Sequence, residues 1–166
     1  MTRLATTLGS ENETKHMKSI ALKLLIALAL AVPTFAADKQ ERGKKEGPNG
    51  GRVLIAVEPH LEFLVTKDRK VEITALTEAL KPGKFSGQVI GVTAGDRSKP
   101  TKLEFKEDAG KLVSTNALPE GNDFPVSVSI KPSASGKAVY EKFNLNMEKC
   151  PTCKNAEYAC VCDHSQ

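Results

Sequence analysis

Hydrophobic and polar residues alternate along most of the chain from Gly50 onward, with the two-residue period of half-buried strands. Val53, Ile55 and Val57 alternate, as do Leu61, Phe63 and Val65, and then Val71, Ile73 and Ala75. Phe85 to Thr93, Leu103 with Phe105, and Leu112-Val113 supply further candidates. Val126, Val128 and Ile130 interleave with Ser127, Ser129 and Lys131. The last run sets Val139, Phe143, Leu145 and Met147 against Tyr140, Lys142, Asn144 and Asn146. Turn formers separate the runs at Lys67-Asp68-Arg69, Pro82-Gly83, Gly95-Asp96, Ala109-Gly110, Glu120-Gly121-Asn122 and Ser135-Gly136. Only Thr77–Leu80 hints at a helical turn. About seven or eight short strands at this spacing predict an all-β chain. The expected fold is an antiparallel β-sandwich of immunoglobulin-like size over residues 50–148. By the same parity Glu62 and Glu72 fall on outward positions and are expected in water. His60, opening a strand after Pro59, is expected as a half-exposed histidine without a role.

The pattern changes before Gly50. Met17-Lys18 and Lys23 precede an unbroken apolar run from Leu24 to Val32, followed by Pro33, Thr34, Phe35, Ala36 and Ala37. A basic start, a short apolar middle and small residues at the cleavage point make up a secretory signal. Cleavage is expected after Ala36, with Met17 as the true start and residues 1–16 as an upstream extension. Residues 37–49 then form a flexible charged leader. The destination is the periplasm or the exterior, and no apolar run reaches the ~18 residues of a membrane span.

Composition narrows the function. Across 166 residues, 24 Lys and Arg stand against 20 Asp and Glu, a net charge of +4. Both signs are scattered, which gives no footprint for nucleic acid. Catalytic templates fail on their residues. Gly83-Lys84-Phe85-Ser86-Gly87 carries its serine one place late for a nucleophile elbow. Ser135-Gly136-Lys137 ends in Ala138 where a phosphate loop needs Ser or Thr. Cys162-Asp163-His164 has no methionine after it to complete a blue-copper set. No enzyme is expected.

The end of the chain carries the chemistry. Cys150, Cys153, Cys160, Cys162 and His164 read C-x2-C-x6-C-x-C-x-H, and no other cysteine occurs. A C-x2-C pair brings two thiolates to one tetrahedral ion through a tight turn, which Pro151 presets. C-x-C and C-x-H bring the remaining donors to the same point. Four thiolates, or three with an imidazole, form closed structural zinc sets, and soft thiolates also suit Cu(I). The six-residue separation is shorter than in most zinc ribbons. The alternative is a pair of disulfides in an oxidising compartment. The protein would then be a stapled structural or interaction module whose edge strands meet an unknown protein partner. Residues 149–166 carry few apolar groups. This tail is therefore expected to stay unpacked until metal or disulfides close it, and the sandwich to fold without it.

Gly47-Pro48-Asn49-Gly50-Gly51-Arg52-Val53 followed by His60-Leu61-Glu62-Phe63-Leu64-Val65 resembles a known motif. It is similar to the G-P-H-G-G entry and following strand of a small β domain. That domain occurs in periplasmic adaptor subunits of heavy-metal efflux pumps and in related stand-alone exported proteins. The resemblance covers residues 47–76 and implies an isolated accessory domain. Asn49 stands where the family has histidine, so no ligand is carried over. Processing is checked by intact mass: exported protein is expected to begin at Ala37. A mass that retains residues 1–16 would overturn both the start and the compartment.

Overall fold

The computed structural model describes residues 45–162. The signal segment with Met17 and Ala36, the leader up to Lys44, and His164 lie outside the described residues. The alternating runs form strands: β1 (Arg52–Leu54), β2 (Leu61–Val65), β3 (Val71–Ala75), β4 (Val89–Ala94) and β5 (Thr101–Leu103). β6 (Phe105–Asp108), β7 (Lys111–Ser114), β8 (Asp123–Lys131) and β9 (Val139–Asn146) follow. One sheet has five strands in the order β1-β2-β3-β7-β6, and the other four in the order β5-β4-β8-β9. Every pairing is antiparallel. Among the described residues no helix is long and apolar enough to cross a membrane.

Register explains why the two sheets close on each other. Phe63 lies opposite Ile73 in the first sheet, and Val92 lies opposite Val128 in the second. Residues of one parity thus gather on each inner face, where Leu61, Phe63, Ile73, Val128, Ile130 and Leu145 are fully buried. Each such burial stabilises by ~1.5–3 kcal/mol. Leu103 and Phe105 turn out to belong to different sheets, which raises the count to nine strands. The chain crosses at Glu104, whose N–H donates to Asn116 Oδ1 (2.9 Å) and whose carbonyl accepts Thr115 N–H (2.7 Å). Thr77–Leu80 does not coil into a helix. Leu80 takes a left-handed φ of 56°, and Thr77 N–H donates to Lys81 O at 2.8 Å, so the chain reverses.

Glu62 departs most from expectation. Its parity does place it on the outer face of β2, yet it is fully buried. Residues 45–51 fold over it, closed by Gly47 N–H to Gly51 O and Gly50 N–H to Gly47 O, both 3.0 Å. Oε1 accepts the N–H groups of Asn49 and Gly51, each at 2.9 Å, and Oε2 accepts Asn49 Nδ2 at 2.7 Å. A Cβ on Gly47 would fall on this carboxylate, and one on Gly51 would lie 2.5 Å from Phe63 O. The glycines are therefore required by close approach. The sandwich includes residues ahead of Gly50, since Glu46 already bridges Arg52. Glu72 is half-buried rather than solvated, with Lys111 Nζ 3.1 Å from its Oε2. Replacing Glu62 with Ala leaves two backbone donors without an acceptor, and is expected to cost about 2–4 kcal/mol in urea denaturation. A loss no larger than that of an exposed carboxylate would contradict the buried placement.

Candidate metal centre

After β9 the chain folds back on itself. Lys149 bridges Ala156, Cys150 N–H donates to Asn155 O (2.9 Å), and Glu157 N–H donates to Glu148 O (2.9 Å). This small hairpin carries Cys150 at its base and Cys153 at its tip. A 3-10 turn, Glu157–Ala159, then redirects the chain so that Cys160 and Cys162 return to the same place. Pro151 stands in the tip, where its fixed φ favours the turn.

The four sulfurs converge. All of Cys150, Cys153, Cys160 and Cys162 Sγ lie within 4.8 Å of one another. Cys150 and Cys160 sulfurs are 3.3 Å apart, and Cys153 and Cys160 3.7 Å. Both separations exceed the ~2.05 Å of a disulfide bond. With the 4.8 Å upper limit for the set, the separations span the ~3.8 Å edge of a tetrahedron with zinc–sulfur bonds of ~2.3 Å. Cys150 and Cys160 are buried and the other two half-buried.

Backbone donors support thiolate charge here. Thr152 N–H points at Cys150 Sγ (3.4 Å) and Cys162 N–H at Cys160 Sγ (3.2 Å). The Thr152 hydroxyl lies 3.1 Å from Cys150 Sγ. That hydroxyl, with the Thr152 N–H and in spite of desolvation, pulls the Cys150 thiol down to about 6. Desolvation pushes Cys160 the other way, to about 12. At Cys153 the Asn155 N–H favours the thiolate, but desolvation and the Cys150 and Cys162 thiols outweigh it and its pKa is raised. One thiol is thus ionised near neutrality, while Cys153 and Cys160 need a cation to lose their protons. The donor set fits a thiophilic ion that closes four coordination positions with sulfur. His164 lies outside the described residues, and four thiolates already complete a tetrahedral set. His60 is not in the cluster: its Nδ1 is 2.9 Å from Val57 O.

The tail is not apart from the sandwich, contrary to the expectation from its composition. Tyr158 is only 6% exposed and belongs to the core, edge-on to Phe63 with ring centroids 6.2 Å apart. Its hydroxyl accepts Val65 N–H at 3.0 Å, and its carbonyl accepts from Arg52 at 3.4 Å. Arg52 in turn lies over Phe143, 4.7 Å from the ring centre. Asn155 is buried against the glycine loop, its Oδ1 3.4 Å from where a Cβ of Gly50 would be. Sequence reasoning missed Tyr158 and Asn155. The available signal was one large aromatic centred between the two cysteine pairs.

Magnitudes show what holds the tail. Burial of Tyr158 contributes roughly 2–3 kcal/mol and its hydrogen bond about 1. Ordering the backbone from Lys149 to Cys162 costs ~1–2 kcal/mol per residue. Local hydrogen bonds offset part of this, and a bound zinc, ~10–16 kcal/mol in small finger peptides, would offset the rest. With zinc in excess, truncation after Glu148 is expected to lower the stability of the sandwich by about 2–4 kcal/mol, because Phe63 loses its cover and Val65 N–H its acceptor. Urea denaturation of the two forms measures this; coincident curves would mean that Tyr158 does not pack in the core.

No protein-family model matches the chain, and no curated protein or solved structure is similar to it, so the four sulfurs carry the functional argument.

Proposed function

We propose that this is an exported, non-enzymatic β-sandwich that binds one thiophilic metal ion, zinc before Cu(I), as an accessory protein in metal handling. The observation that carries the reading is the approach of four cysteine sulfurs to within 4.8 Å of one another. Zinc ranks first because four thiolates at near-tetrahedral spacing suit a d10 divalent ion without geometric preference. A set closed by four protein ligands leaves no open position for a substrate, which supports a binding role over catalysis. Export rests on the signal pattern from Met17 to Ala36, and the link to metal handling on the resemblance at residues 47–76. A disulfide-stapled interaction module is the second reading, favoured by the 3.3 Å approach of Cys150 and Cys160 in a chain bound for an oxidising compartment.

Thiol titration with and without reductant, alongside metal analysis of protein purified after export, separates the two readings. One zinc per chain with the thiols recovered only on unfolding or chelation is the expected result. No titratable thiol before reduction and no metal would leave the disulfide module. Acid gives a second check. Protons compete with the ion for every sulfur, so zinc affinity is expected to fall with pH, and to fall more steeply below about 6, where Cys150 too must lose a proton to bind. Zinc affinity unchanged between pH 8 and pH 5 would contradict ligation by these thiols.

A further inference from the structure

The ligands flank Tyr158 in sequence: Cys150 and Cys153 precede it, and Cys160 and Cys162 follow it. An ion that joins the two pairs therefore closes a ring of chain around the residue that covers one end of the sandwich. We infer that the metal centre is the clasp of a strap: the bound ion holds residues 149–162 over Phe63, Arg52 and Val65, and its loss uncovers that surface. The inference rests on the metal-binding reading of the four cysteines.

Three contacts define what the strap covers. The Tyr158 ring meets Phe63 edge-on at an interplanar angle of 80°, and Phe63 meets Phe143 in the same way at 85°. The Tyr158 hydroxyl accepts Val65 N–H, and the Tyr158 carbonyl accepts the Arg52 guanidinium. Arg52 needs that carbonyl: desolvation lowers its pKa, and its Nε finds no partner in the structure. Release of the strap would return the guanidinium to water and leave Val65 N–H without a protein acceptor. Without the ion, the strap keeps one large buried side chain and a few local hydrogen bonds, too little to fix so long a segment.

The body does not depend on the strap to the same degree. β8 and β4 pair along six residues, from Val89 with Lys131 to Ala94 with Val126, and no strap residue takes part in that ladder. Metal loss is therefore expected to open the side where β1 and β9 meet the strap and to leave the pairing of β4 with β8 intact. The protein then has two states distinguished by metal, which suits a sensor of metal supply better than a carrier.

Amide hydrogen exchange on the reduced full exported chain, with zinc and after chelation, tests this. Val65 is expected to exchange on the order of 100-fold faster without zinc, while Val128 and Ile130 in β8 stay protected. Tyr158→Ala provides the coupling control: the cysteines still take up zinc, but Val65 exchanges fast in both states. Zinc uptake with equal Val65 protection in both states would overturn the strap and leave the metal site standing. Equal loss of protection at Val65 and β8 would also overturn it, since the ion would then hold the whole fold. Failure of the reduced chain to take up zinc at all would remove the metal-binding reading, and the strap with it.

Discussion

The hydrogen bond from Val65 N–H to the Tyr158 hydroxyl joins residues 93 apart in sequence. It exists because of what happens at the other side of β2. β1 pairs with β2 only from Arg52 opposite Phe63 to Leu54 opposite Leu61. Ahead of Arg52 the chain leaves the sheet edge to fold over Glu62. Val65, half-buried, consequently has no strand partner on that side, and a donor shielded from water and left unmet is costly. Tyr158 supplies the missing acceptor while its ring completes the aromatic packing on Phe63. The anchor ties the short hairpin of 148–157, which has no core of its own, to the sandwich.

The strands were legible in the sequence because alternation is a local signal that records burial on one face. Val126, Val128 and Ile130 are buried where the pattern puts them, and Ala109-Gly110 forms the two-residue turn that its φ values of 48° and 77° permit. Glu62 was not legible for the same reason. Period-two reasoning assigns the outer face to water and has no means of showing that another segment covers it. The clue lay in Gly47 and Gly51, which the resemblance treated as a motif and which the packing explains as two places without room for a Cβ. The four cysteines were legible as a set, because metal-type spacing is itself local. Their support was not: Tyr158 and Asn155 act through contacts with Val65 and Gly50, and nothing near them in sequence announces those partners.

The chain meets its buried Glu62 carboxylate and its cysteine cluster by one device. At Glu62, a tight turn rich in glycine aims two backbone N–H groups and one side-chain amide at a carboxylate. In the tail, tight turns aim the Thr152 and Cys162 N–H groups at Cys150 and Cys160 sulfurs. Four thiolates on a divalent ion would carry a net charge of about −2, which such donors would help to spread. The two turns meet where Asn155 lies against Gly50. The glycine loop thus serves twice, covering Glu62 on one side and seating the tail on the other.

The six-residue gap between Cys153 and Cys160 follows from this arrangement. Zinc ribbons commonly separate their ligand pairs by longer stretches that build a domain around the ion. Here the domain already exists, and the gap has to hold only the return of the hairpin at Asn155 and Ala156 and one 3-10 turn. That turn carries Tyr158 inward and delivers Cys160 back to the sulfur of Cys150. A shorter gap would have no turn to carry the tyrosine. A longer one would close a larger ring, at an entropic cost that grows only slowly with length, but would let Tyr158 wander from the end of the sandwich. The spacing is therefore one at which a metal ion, once bound, and a core contact would reinforce each other across a single turn of chain.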